Sequence, residues 1–184
     1  MDFRPTITRK AERVRVIGLG VILYGFLSYI TDYIPIAGSS LRPAIVILTI
    51  AGACFGPLTG FLLGAFGTLL TDVLSGQLWI SWIIGNGVIG LFSGFASLHK
   101  EFDLNSGKMS QSHYVWLALW GISGNLIGLA GAAFFDILTG SPDVSILHWA
   151  IVPAAVNSLW ILLLGLPIIT AIVKRKAEDF RING

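Results

Sequence analysis

Long apolar runs divide the chain, and short polar or glycine- and proline-containing stretches separate them. The runs lie at residues 14–30, 42–55, 58–74, 79–98, 114–138 and 146–173. Because a membrane-spanning helix needs about 20 apolar residues, the pattern predicts an all-α integral membrane protein with six transmembrane helices, forming a single membrane domain over residues 1–184. The least distinct boundary separates the second run from the third at Gly56-Pro57, where proline cannot continue the helix of the second run.

The composition supports the same class of protein. Hydrophobic residues make up 54% of the chain and charged residues 12%, with a mean hydropathy of +0.79. Soluble domains carry roughly 25% charged residues. The one cysteine, Cys54, lies inside an apolar run, so no disulfide can form within the chain and a role as small core filler is expected.

The distribution of lysine and arginine predicts the orientation in the membrane. With six spans, one side holds eleven of the twelve basic residues and the other side holds only Arg42. Basic residues accumulate in cytoplasmic loops, so both termini are expected to be cytoplasmic, and nucleic acid is not an expected partner. If the hairpin of runs two and three did not cross fully, the last three spans would keep their orientation. The eleven residues are Arg4, Arg9, Lys10, Arg13, Arg15, Lys100, Lys108, Lys174, Arg175, Lys176 and Arg181.

Charged residues at the outer ends of the predicted spans are the first candidates for a binding site. Charge near a membrane span is costly unless it reaches water, a partner or a cavity. Two interpretations are open for each residue: simple solvation above the lipid, or a role in a pocket on which several charges converge. The candidates are Asp32, Arg42, Asp72 and Asp136.

Three asparagines and three outer tryptophans extend this candidate substrate-binding set. Buried asparagine requires hydrogen bonds, either as links between helices or as contacts to a ligand. Tryptophan is common at membrane interfaces, but Trp82 and Asn86 are four residues apart and share a helix face, which suits a flat heterocyclic ligand. The residues are Asn86, Asn125, Asn157, Trp79, Trp82 and Trp149.

The first run carries a candidate docking strip for another membrane protein. Gly18 and Gly25 are seven residues apart and lie near one helix face, with Val21 and Ile22 between them. Small residues let helices approach closely. Packing inside the protein is the alternative explanation for this strip.

No catalytic, metal-binding or ATP-binding motif is evident, so neither enzymatic activity nor a cofactor is expected. Three alternatives remain beside a binding protein: a small integral-membrane enzyme, a scaffold without a ligand pocket, and a self-sufficient carrier. An enzyme requires convergent acid–base pairs. A carrier commonly shows inverted repeats and ionisable groups at mid-membrane, neither of which is evident.

The segment LRPAIVILTIAGACFGPLTGFLLGAFGTLLTDVLSG resembles the substrate-binding S components of energy-coupling factor (ECF) vitamin transporters, especially the riboflavin-type group. WISWIIGNGVIGLFSG continues the match. The resemblance covers roughly residues 14–98, and residues 114–173 match in length and hydropathy. The family usually has an Ala-x-x-x-Ala motif on helix one for docking, which this chain lacks.

The resemblance implies a multi-pass protein of the bacterial cell membrane that captures a water-soluble vitamin in its outer half. The loop over residues 31–41 would cover the ligand, and helices four to six would build much of the pocket. The implied partners are a membrane coupling protein and two cytoplasmic ATPases, which supply the energy for uptake. Riboflavin, cobalamin, thiamin precursors, pyridoxine and a queuosine precursor are all candidate ligands.

Overall fold

The computed structural model describes residues 10–32, 34–36, 39–40, 42–99, 102, 109–140 and 145–183. Within these residues the fold is helical apart from one pair of two-residue strands, which confirms the predicted all-α class. The helices are α1 (Lys10–Asp32), α2 (Ile45–Phe55), α3 (Pro57–Ser75), α4 (Ile80–Gly94), α5 (Gln111–Leu138) and α6, which begins at Leu147 and ends at Asn183. A 3₁₀ turn, Phe95–Leu98, extends α4.

Among the described residues, five helical stretches are long and apolar enough to cross a bilayer. They correspond to predicted runs one, three, four, five and six, and the helices extend several of these runs by a few residues at their ends. The stretches are Val14–Asp32, Pro57–Ser75, Ile80–Leu98, Gln111–Leu138 and Leu147–Asp179.

The second predicted run differs from the structure. Its helix, α2, begins at Ile45 instead of Arg42, because the Arg42 carbonyl accepts the Ile45 N–H at 3.2 Å in a turn. An 11-residue helix is about 16 Å long, roughly half the thickness of the hydrocarbon core. α2 is therefore too short to span the core alone, and the sixth crossing stays a prediction. Most of α2 is buried among its neighbours, as expected for a helix that is apolar on every side.

A tight turn joins α2 to α3 at the predicted position. Gly56 has φ 95°, a conformation that a side chain disfavours, and its N–H donates to the Gly52 carbonyl at 2.8 Å. Pro57 follows at the start of α3, where its missing N–H costs no helical hydrogen bond. The Gly56-Pro57 dipeptide thus ends one helix and begins the next.

Glycine contacts set the order and direction of the helices. α1 is parallel to α3, because Gly20 faces Leu63 and Gly25 faces Leu70. α3 and α4 are antiparallel and so close that a Cβ on Gly60 or Gly90 would collide with the backbone of the other. Gly85 of α4 and Gly128 of α5 make a similar approach. These glycines therefore serve the close packing of helices inside the protein.

These directions define two ends of the bundle. At one, which we call the Trp82 end, α1, α3 and α5 finish and α2, α4 and α6 begin. The opposite one, the His99 end, carries the Gly56-Pro57 turn and the end of α4.

α6 is continuous but contains two π segments, Leu147–Ile151 and Ile161–Gly165. Each is followed two residues later by a proline, Pro153 and Pro167. Because proline lacks the N–H that an α-helix needs, the wider π turns accommodate the interruption. The first π segment contains Trp149, and the α segment between the two contains Asn157.

The loop between α1 and α2 contains a short hairpin. Strand β1 (Pro35–Ile36) pairs antiparallel with β2 (Ser39–Ser40). The predicted loop began at residue 31. In the structure α1 continues to Asp32, because ordinary helical hydrogen bonds complete its last turn. The first two residues of the predicted loop, Thr31 and Asp32, are therefore helical. Residues 33, 37, 38 and 41 of that loop lie outside the described part of the chain.

Candidate functional site

An ion pair joins the end of α1 to the start of α2 at the Trp82 end. Nη2 of Arg42 lies 2.7 Å from Oδ1 of Asp32, and Nε donates to the same oxygen at 3.2 Å. The Ser40 hydroxyl of β2 also donates to Oδ1, at 2.7 Å, and accepts from Nε of Arg42 at 2.8 Å. This cluster joins the end of α1 to β2 and to the turn that precedes α2. Both charged side chains are 40% exposed, so water screens their attraction.

Asp72 has a different partner. It is buried near the end of α3, and its Oδ2 accepts the backbone N–H of Trp79 at 2.9 Å, which shapes the turn into α4. Among the described residues no hydrogen bond connects Asp72 to Arg42, so a pair between those two residues does not form. The Trp79 indole N–H donates to Oε1 of Gln77 at 3.0 Å, and its ring is exposed.

The side chains of three helices meet around Trp82. Its indole N–H, from α4, donates to Oδ2 of Asp136 on α5 at 2.7 Å. Its ring lies 5.7 Å from that of Trp149 on α6, centroid to centroid, with a tilt of 51°. Asp136 is only 5% exposed, whereas Trp149 is 44% exposed. We call Trp82, Asp136 and Trp149 the Trp82 cluster.

Asn86 lies below this cluster but both ends of its amide are engaged. Its Nδ2 donates to the Trp82 carbonyl at 2.9 Å, and its Oδ1 accepts the Tyr24 hydroxyl from α1 at 3.1 Å. The amide thus links α1 to α4, as in the interpretation of the asparagines as interhelical contacts. Tyr24 was not among the predicted site residues, although a phenol within an aliphatic run is a signal that could have identified it.

Asn125 and Asn157 form a second buried link, between α5 and α6. Nδ2 of Asn157 donates to Oδ1 of Asn125 at 2.8 Å, and Nδ2 of Asn125 donates to the Gly121 carbonyl at 2.8 Å. Both side chains are buried. Their mutual pairing satisfies groups that would be costly in hydrocarbon, so they act first as a connection between helices.

The predicted site residues are therefore brought to one end or to the interior of one bundle, but in separate groups. The Trp82 cluster, the Asp32–Arg42 pair and the Asp72–Trp79 contact all lie at the Trp82 end. In the described residues no group of three or more His, Cys, Asp or Glu side chains is placed to hold a metal ion.

A comparison of the sequence with known protein families matches residues 9–174 to the family described as "ECF-type riboflavin transporter, S component". The chain belongs to this family. Its S components are membrane proteins of transporters, so the chain is a multi-pass protein of the bacterial cell membrane, consistent with its five long apolar helical stretches.

Relatives of this S component span nearly its full length. A UPF0397 protein of Vibrio atlanticus is 29% identical over 172 residues, which cover 92% of this chain and 94% of the relative. A UPF0397 protein of Aliivibrio salmonicida is 30% identical over 176 residues, covering 94% and 96%. A UPF0397 protein of Aliivibrio fischeri has the same identity and coverage. No solved structure matches the chain.

The predicted docking strip of the S component is divided by the packing of α1. Gly18 and Ile22 lie on its exposed face, with open space around Gly18, and Val21 is half-buried. Gly25 instead packs against Gly67 and Leu70 of α3. This contact agrees with the alternative explanation for the strip, which is packing inside the protein. The exposed face continues through large apolar residues at Leu19, Leu23 and Phe26.

An aromatic group occupies the His99 end of the S component. The His99 ring stacks on Trp116 with centroids 4.4 Å apart, and its Nε2 lies 3.0 Å from the Trp120 indole N–H, which can only donate. His99 therefore accepts this bond in its neutral form. Burial lowers the pKa of His99 below its ordinary value, and the nearby His113 adds to the effect.

Proposed function

We propose that this S component captures a water-soluble vitamin or vitamin precursor at the Trp82 end, for uptake driven by ATP hydrolysis in partner subunits. The observation that carries the proposal is the Trp82 cluster, in which α4, α5 and α6 contribute aromatic rings and a carboxylate at one place. Aromatic walls with a few convergent polar groups are typical of small-molecule sites. Family membership supports the transport role.

The proposed orientation places the Trp82 end outside the cell and both termini in the cytoplasm. The support is the distribution of basic residues in the sequence, since the six predicted spans put eleven of the twelve on the opposite side. In this arrangement the ligand reaches its site from the external medium. Six crossings are part of the proposal, with α2 and the residues around it forming the second.

The proposed partners are a membrane coupling protein and two cytoplasmic ATPases. The chain has no ATP-binding motif of its own. We place the docking surface on the exposed face of α1 around Gly18 and Ile22, because Gly25 is occupied by α3.

A binding assay with purified protein tests the proposed function. Riboflavin is the first ligand to measure, followed by the other vitamins considered above. We expect at least one to bind, and the variant Trp149→Ala to weaken its affinity about tenfold, since stacking adds roughly 0.5–1.5 kcal/mol beyond burial. Trp116→Ala is a matched control, because Trp116 is 39% exposed and lies at the other end. Equal effects of the two variants would contradict the proposed location.

A further inference from the structure

The burial and hydrogen bonding of the Asp136 side chain indicate which chemical groups a ligand would present to it. Its side chain is 5% exposed, yet one donor alone among the described residues, the Trp82 indole, reaches its carboxylate. That bond uses Oδ2 and leaves Oδ1 with acceptor capacity. A carboxylate has about four acceptor positions, and buried polar groups usually fill them. A ligand that donates a hydrogen bond here would complete the set.

The same carboxylate fixes the aromatic surface beside it. The 2.7 Å bond from Trp82 holds the indole N–H at Asp136, while the Trp82 and Trp149 rings lie 5.7 Å apart with a tilt of 51°. The two rings consequently form an angled aromatic surface beside the Asp136 carboxylate, whose Oδ1 accepts no hydrogen bond from the described residues. Because the three side chains come from α4, α5 and α6, the packing of these helices sets the separation between the aromatic surface and the acceptor.

The charge balance at this end favours the same kind of ligand. Among the described residues of the Trp82 end, the acids Asp32, Asp72 and Asp136 outnumber the one arginine, Arg42, which is already paired with Asp32. Excess negative charge attracts cations and repels anions.

We propose that the site selects a flat heterocycle that presents an N–H donor or a positive charge to Asp136, and that Asp136 determines this specificity. The inference rests on the proposed function and narrows its substrate class. The heterocycle packs on the angled Trp82–Trp149 surface while its donor edge bonds Oδ1 of Asp136. A ligand that presents only acceptors or a negative charge there would give Oδ1 of Asp136 no donor and would meet its negative charge, which is costly in a buried site.

Matched ligand pairs test this inference on the unaltered protein by calorimetry or thermal shift. Riboflavin is compared with 3-methylriboflavin, which lacks the ring N–H, and pyridoxamine with 4-pyridoxate, which exchanges a cationic amine for an anion. We expect the first member of whichever pair binds to have an affinity about tenfold higher or more, since hydrogen bonds to charged groups are stronger than those between neutral groups.

The variant Asp136→Asn separates a contact with the ligand from a purely structural role. It keeps the shape and an acceptor for Trp82 but removes the negative charge. We expect the affinity ratio within the pair to fall toward one. A structural role would weaken both members equally and leave the ratio unchanged. Asp179→Asn, at an exposed carboxylate of the other end, is the control.

The outcomes distinguish this inference from the function on which it rests. Equal affinities within both pairs, or an unchanged ratio in Asp136→Asn, would overturn the inference and leave vitamin binding in place. Binding of neither pair would also overturn it. If the folded protein ignored the whole vitamin panel as well, the proposed function would fail too.

Discussion

The Asp32 carboxylate accepts hydrogen bonds from both Ser40 and Arg42, and the Asn86 amide bridges Tyr24 and Trp82. At the scale of single residues, such contacts show which donors and acceptors of each polar group are occupied within the protein itself. Groups with both ends engaged, such as Asn86, act first in holding the helices. Groups with acceptor capacity left, such as Asp136, are better placed to bind a ligand.

Replacing Arg42 by alanine should weaken ligand binding more than it weakens folding. The pair with Asp32 is 40% exposed on each side, so its loss should cost only about 0–1 kcal/mol of stability. The same pair joins α1 to the start of α2 at the Trp82 end, where the proposed site lies, and we expect roughly tenfold weaker vitamin binding. Affinity is measured by calorimetry and stability by thermal unfolding, with Arg175→Ala at the other end as control. Unchanged affinity in Arg42→Ala would show that the Asp32–Arg42 pair does not contribute to ligand binding.

Lowering the pH should destabilise the protein through His99. The folded pKa is below the ordinary value, so between the ordinary pKa near 6.5 and the folded value the unfolded chain binds more protons. The contribution is present above pH 6.5 and is lost as the pH falls through this window. Protonating Nε2 would also remove the bond from Trp120.

Thermal unfolding between pH 7.5 and 5.0 measures this dependence. We expect His99→Gln, which stays neutral, to show a smaller decrease in Tm than the unaltered protein. His148→Gln, at an exposed histidine of the Trp82 end, is the control. Identical pH profiles for His99→Gln and the unaltered chain would exclude His99 as the titrating group.

The sequence identified polar residues better than it identified their partners. The sequence alone predicts that Asn125 and Asn157 need hydrogen-bond partners, because an amide in an apolar run is costly without them. Their pairing with each other, 32 residues apart, depends on how α5 and α6 are oriented, which periodicity does not specify. For the same reason Arg42 could not be assigned to Asp32 rather than Asp72 from their positions alone.

At the scale of elements, glycine determines how closely α3, α4 and α5 pack. Gly60 faces Gly90, and Gly85 faces Gly128, with backbone against backbone. These approaches bring the start of α4 next to the end of α5, where Trp82 meets Asp136. Close packing of the helices and construction of the proposed site are therefore connected.

Adding one methyl group at Gly90 should destabilise the bundle. A Cβ there would collide with the Gly60 backbone, which cannot move away as a flexible side chain could. We expect a loss of about 1–3 kcal/mol, read as a lower Tm in detergent. Gly131→Ala is the matched control, since that glycine lies in α5 with open space around it. Equal Tm values for the two variants would contradict the observed packing.

The extents of most helices were predictable because runs of about 20 apolar residues have one simple explanation in a membrane. The start of α2 was not, because the turn over residues 42–45 depends on hydrogen bonds and not on hydropathy. The π segments of α6 could have been suspected from Pro153 and Pro167, but proline alone does not distinguish a π turn from a kink.

At the scale of the whole molecule, the account depends on the Trp82 end facing outward. Single cysteines introduced as Gln77→Cys and Gln111→Cys test this in intact cells, since Gln77 is exposed at the Trp82 end and Gln111 is exposed at the His99 end. We expect a membrane-impermeant maleimide to label position 77 only. The native Cys54 is buried and should react little. Labelling of position 111 but not 77 would reverse the topology.

The central claim is that this chain holds a small heterocyclic ligand. The most direct measurement is mass spectrometry of the small molecules released when the gently purified protein is denatured. The account predicts one heterocycle with an N–H donor or a positive charge, near one molecule per chain. A folded protein that releases no small molecule, and whose Tm none of the tested vitamins raises, would contradict it.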